Sequence, residues 1–137
     1  MNMRADQIML KFPSSSRSIE TIESFVNGIV EKYRINPELH CNILVSLTEA
    51  VNNAIIHGNS NDESKCVYVQ LRKQRNSIAI SVSDEGGGFD YQNLPDPTSP
   101  ENLRRCGGRG VFLMQQLSDN IRFHNNGNTV EMKFKIG

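Results

Sequence analysis

Glu49, Asn53 and His57 recur at intervals of four in the stretch LTEAVNNAIIHGN, residues 47–59. On a helix that spacing stacks them along one edge, a turn apart each time. An ordinary surface helix would carry paired Lys and Glu there. This edge carries an acid, two carboxamides (Asn52 and Asn53) and an imidazole, mixed with the apolar Ile56. Two readings fit: a surface lined up against a ligand, or a solvated back face with chance polar residues. The helix alone leaves both open.

A second group sits at the end of an alternating run. Ile78, Ile80 and Val82 point to one side of a strand, and Asp84 continues their row. A carboxylate closing an apolar row needs a partner. It can accept a hydrogen bond from an exocyclic amine such as adenine offers, or it can simply cap a turn into Gly86. Gly86, Gly87 and Gly88 follow, which permit close backbone approach to a ligand but as often make a turn. Further on, Gly107-Gly108-Arg109-Gly110 precedes Val111-Phe112-Leu113-Met114. A glycine-rich loop opening onto a helix offers free N–H groups and the positive dipole end to an anion, phosphate above all. Arg104, Arg105 and Arg109 add positive charge. A flexible hinge with solvated arginines fits the same residues. Neither the dinucleotide-binding fingerprint nor the P-loop pattern is present.

These groups must be held by the surrounding elements. Met9–Phe12 is a short apolar run stopped by Pro13, which suits an edge strand. Ser14, Ser15, Ser16 and Ser18 offer N-caps for an amphipathic helix that runs to about Tyr33. Asn36-Pro37 opens a second helix, with Ile43, Leu47, Val51 and Ala54 on its core stripe and its end near His57-Gly58. Val67, Val69 and Leu71, a turn over Gln74–Ser77, and Ile78, Ile80 and Val82 predict an antiparallel hairpin. Residues 84–110 have little periodicity and predict a long functional or mobile loop. A short helix over Val111–Leu117 and a closing hairpin, Asn120–His124 with Thr129–Ile136, complete the order. Hairpins beside helices, without repeated βαβ units, predict an α+β two-layer sandwich with helices on one face of a mostly antiparallel sheet.

The chain has 137 residues, which suits a single domain over residues 1–137. Fifteen basic residues balance fifteen acidic ones, so no basic excess points to nucleic acid or an anionic membrane. No apolar run approaches the roughly 20 residues of a membrane span, and MNMRADQIMLKF lacks a signal-peptide core. Cys41, Cys66 and Cys106 form no CxxC pair and read as reduced thiols of a cytoplasmic protein.

Taken together, EAVNNAIIHG (49–58), DEGGGFD (84–90) and GGRGVFLM (107–114) closely resemble the N, G1 and G2 boxes of the GHKL ATP-binding fold. The segment FDYQNLPDPTSPEN and the chain length resemble, more narrowly, the bacterial anti-sigma-factor serine/threonine kinases of sporulation and stress-response switches. The resemblance covers nearly the whole chain. It implies the Bergerat architecture, with a mostly antiparallel mixed sheet, and ATP or ADP with Mg²⁺ as ligands. By position, Asn53 matches the Mg²⁺-binding Asn, and Glu49 the acid that serves as general base. Asp84 matches the adenine-reading Asp, and Gly86 and Gly88 the glycines lining the purine pocket. Gly107, Gly108 and Gly110 match the lid around the phosphates, with Arg109 between them open to phosphate or equally to a partner protein, and Thr129 matches the Thr that closes the adenine site through water. His57 and Asn52 belong to the motif without an assigned ligand role. The segment from about Tyr91 to Arg105 is expected to order over the nucleotide.

The resemblance also implies partners: a sigma factor, a STAS-domain anti-sigma-factor antagonist phosphorylated on Ser or Thr, and a second copy in a homodimer formed through the N-terminal strand and first helix. It implies neither nucleic acid nor membrane as a direct partner. The chain lacks a helical hairpin with a phospho-acceptor His and a gyrase-type transducer domain. A nucleotide-sensing partner-switch module without significant kinase activity is the alternative, and a domain that binds no nucleotide would require all three motifs to be coincidental.

Overall fold

The computed structural model describes residues 7–86, 106–124 and 128–136, with residues 106–109 described by backbone alone. The elements are β1 (Gln7–Pro13), α1 (Ser18–Tyr33), α2 (Pro37–Asn53) running into a π-helical turn (Ala54–Gly58), β2 (Cys66–Lys73), β3 (Ser77–Ser83), α3 (Cys106–Leu117), β4 (Asn120–His124) and β5 (Thr129–Lys135). This is the predicted order. The five strands form one sheet in the order β1-β2-β3-β5-β4, antiparallel at every pairing. Pro13 lies on an edge strand, where its missing N–H costs no ladder bond.

Register decides what each strand buries. Val69 lies opposite Leu10 and Val82, Ile80 opposite Met132, and Ile78 opposite Phe134. All of these except Leu10 are buried, and Leu10 packs against the same cluster. The helices supply the other half of the core: Ile22, Val26 and Ile29 from α1, and Ile43, Leu47, Ala50 and Val51 from α2. The far face of the sheet carries Lys11, Tyr68, Arg72, Glu131 and Lys133, with an exposed Arg72–Glu131 ion pair at 3.0 Å. Pairs of that kind contribute little.

Asn36 caps α2 through a 2.8 Å bond from the Leu39 amide, with Pro37 in the first turn, as the sequence predicts. The serines before α1 behave differently. The N-cap is Arg17 and makes no side-chain cap. Ser14 and Ser18 are buried and donate instead to the carbonyls of Lys65 (2.8 Å) and Pro13 (3.0 Å), tying the β1–α1 connection to its neighbours. Arg34 ends α1 in the left-handed region (φ 54), its amide returning to the Val30 carbonyl.

Candidate functional site

Glu49 and Asn53 lie one turn apart on α2, both partly buried. Their head groups converge on Gly110 of α3. A Cβ at Gly110 would stand 2.9 Å from Asn53 Nδ2, 3.1 Å from Glu49 Oε2 and 3.3 Å from Asn53 Oδ1. A methyl group there would have to displace the ends of these two side chains. The edge is therefore a packed, polar contact surface and not a solvated back face. His57 is exposed and Asn52 half-buried.

The last turn of the second helix is where prediction and structure part. It ends at Gly58 as expected, but from Ala54 it widens to π geometry, and the Asn59 amide donates to the Ala54 carbonyl at 2.8 Å. This turn meets the end of β3. The Asp84 amide donates to the Asn128 carbonyl at 2.9 Å, and Asp84 Oδ1 accepts the Gly86 amide at 2.8 Å. The carboxylate occupies the place a Gly58 side chain would need, and the Gly58 carbonyl occupies the place a Gly86 side chain would need. Two glycines thus interlock the helix end with the loop after β3. Asp84 faces the helix layer, as alternation along the strand predicts. Burial raises its carboxyl above the ordinary carboxylate range, while the Gly86 amide and then Lys65 pull it back down.

Thr129 reaches this group only through its neighbour, its hydroxyl donating to Asn128 Oδ1 at 3.2 Å. It pairs with Ser83, and the next pair along, Val82 and Val130, points into the core. Thr129 and Ser83 therefore share the far face, where their hydroxyls lie 3.0 Å apart. The residue opposite Asp84 on the near face is Asn128, whose Nδ2 reaches toward the Gly86 carbonyl at 3.5 Å. Asn128 lies outside the three motifs, and its place beside Gly86 follows from the pairing of β3 with β5.

The expected phosphate loop is also placed differently. Gly107, Gly108, Arg109 and Gly110 lie within α3, which begins at Cys106 and not at Val111. Glycine costs about 1 kcal/mol per helical position relative to alanine, so local propensity places the start too late. In the structure these residues are helical and Gly110 lies against the polar edge of α2. Gly88 and the 91–105 lid lie outside the described residues.

Among the described residues no group of three or more His, Cys, Asp or Glu side chains is arranged to hold a metal. Of the oxygens near Gly110, Asn53 Oδ1 is a hard donor of the kind Mg²⁺ takes when phosphates and water complete its shell. It fits such an ion as part of a ligand set and not as a closed cage.

A Glu–Asn helix edge on α2 with Gly110 of α3 against it, and a carboxylate just past the end of β3, make up the candidate site of an α+β domain. The chain belongs to the histidine kinase-like ATPase domain family, whose model matches residues 12–134. It is similar to the serine-protein kinase RsbW of Bacillus subtilis (27% identical over 139 residues, 96% of this chain and 87% of that protein). It is similar also to that of Oceanobacillus iheyensis (26% over 127 residues, 88% and 80%). The fold matches the RsbU and RsbW domains of Rv1364c from Mycobacterium tuberculosis, with a TM-score of 0.66 at 13% identity, over 95% of this chain and 32% of that one. The GHKL-type architecture expected from the three boxes is thus met.

Proposed function

We propose that this chain is an ATP- and Mg²⁺-dependent protein serine/threonine kinase that also serves as an anti-sigma factor, phosphorylating a STAS-type antagonist on Ser or Thr. The observation that carries this reading is the convergence of Glu49 and Asn53 on one point of α3, with Asp84 wedged against Gly58 one helical turn further along. Family membership and relatives named as serine-protein kinases support it. Sigma factor, antagonist and homodimer come from those relatives' class and remain part of the proposal.

Phosphoryl transfer asks the protein mainly to position groups and neutralise charge. Asp84 accepts the adenine amine. Asn53 offers its amide oxygen to Mg²⁺, which supplies charge neutralisation at the phosphates when bound. Glu49 orients the attacking hydroxyl and takes its proton. The backbone of α3 from Gly107 onward supplies N–H donors near the phosphates.

Glu49→Ala is expected to bind ATP normally and to lose transfer to a STAS partner, by about 100-fold or more for removal of a general base. Transfer at the wild-type rate would remove Glu49 from that role. A nucleotide-sensing switch without kinase activity is the alternative. Incubation with labelled ATP and a STAS partner separates the two, because only the kinase labels the partner.

A further inference from the structure

Asn59 lies just beyond the ten residues of the N-box resemblance and is fully buried. Its carboxamide is spoken for on both sides. Nδ2 donates to Ser14 Oγ at 2.8 Å and to the Cys66 carbonyl at 3.0 Å, and Oδ1 accepts the Glu85 amide at 2.8 Å. A backbone carbonyl must meet the NH₂ end and a backbone amide must meet the oxygen, so these partners fix the orientation of the group. Four separate segments meet here: the β1–α1 connection, the end of the π turn, the start of β2 and the loop after β3. The contact with Glu85 matters most for the site. The Asp84 amide is held by Asn128 and the Glu85 amide by Asn59, so Asp84 is tethered on both sides. Glu85 is anchored again through its carboxylate, which accepts the Cys66 amide at 2.5 Å.

We infer that Asn59 is a positioning residue of the nucleotide site, which holds the Glu85 amide and thereby aims the Asp84 carboxylate at the base. It touches no reacting atom. This rests on the reading of Asp84 as the adenine acceptor. The two halves of the carboxamide divide the work. Oδ1 sets Asp84, while Nδ2 fastens the helix end to Ser14 and Cys66. Losing the first degrades base recognition, and losing the second degrades stability.

The test measures ADP and GDP affinity, each with Mg²⁺, alongside thermal midpoints, for wild type, Asn59→Ala, Asn59→Asp and Ser14→Ala. Asn59→Ala is expected to weaken ADP about tenfold, the equivalent of one lost hydrogen bond, and GDP much less, so the adenine preference collapses. Ser14→Ala, which leaves the Glu85 contact in place, is expected to lower the midpoint and keep the preference. Asn59→Asp retains the acceptor for Glu85 and should keep the preference at a lowered midpoint; it carries the test if Asn59→Ala does not fold. Unchanged ADP affinity in folded Asn59→Ala, equal losses for ADP and GDP, or collapse of the preference in Asn59→Asp would each overturn the inference. Asp84→Ala serves as the separate control. If it binds ADP normally, the reading of Asp84 has failed and the inference falls with it; if it loses ADP while folded Asn59→Ala does not, only the role of Asn59 has failed.

Discussion

A carboxylate half-withdrawn from water holds its proton more tightly than a solvated one, and Asp84 is such a group. Its folded pKa lies above its unfolded one, so the native state binds the proton more readily. By linkage, stability therefore falls as pH rises from the ordinary carboxylate range through the raised value. At neutral pH the ionised group costs stability, and below both pKa values that cost is gone. Asp84→Asn keeps an oxygen for the Gly86 amide and removes the charge. Its expected thermal midpoint at neutral pH equals or exceeds that of the wild type, with the advantage shrinking on acidification, while ADP binding is lost because an amide NH₂ cannot accept from an amine. A lower midpoint combined with normal ADP binding would mean that Asp84 is a structural acid.

At the scale of elements, the three glycines described near the site each answer a specific collision, while Gly28 answers none. Gly28 lies on the exposed side of α1 with nothing near its absent Cβ, so Gly28→Ala is expected to stabilise the protein by about 0.5–1 kcal/mol. Gly86→Ala pushes a methyl into the Gly58 backbone carbonyl, which cannot swing aside as a side chain could. A loss of about 1–3 kcal/mol in chemical denaturation is expected, the range for forcing extra volume into a packed contact. If both alanines behave alike, the interlock of helix end and loop is not what constrains Gly86. The elements themselves were largely legible in the sequence. Alternation fixed the inward rows of β2, β3 and β5, and Asn36-Pro37 marked the start of α2. Three features were not legible, and each depends on a neighbour remote in sequence. The π turn at Ala54–Gly58 lies against Asp84, Gly110 of the early-starting α3 lies against Glu49 and Asn53, and the place of Asn128 follows from the pairing of β5 with β3. Local propensity has no term for any of them.

For the molecule as a whole, the candidate site is a seam between distant parts of the chain. It draws Glu49 and Asn53 from α2, Asp84 and Gly86 from the loop after β3, Gly110 from α3 and Asn128 from just before β5. No single element contains it, so it exists only when the sheet and the helix layer are docked. A ligand that binds this seam binds the native state and not the unfolded chain, and must stabilise the whole fold by mass action. At about 100 times its Kd, that amounts to about 2.7 kcal/mol, and for a domain of this size it raises the thermal midpoint by about 10 °C. ADP with Mg²⁺ is expected to produce such a shift, and chelation with EDTA to diminish it, because Asn53 supplies only part of a metal's shell and the phosphates need the ion beside them. Asp84→Asn should show no shift with ADP, while Glu49→Ala should show the full one, since Glu49 is assigned to transfer and not to binding. A wild-type midpoint indifferent to ADP at any concentration would show that the seam holds no nucleotide, and the kinase and the sensing module would fall together.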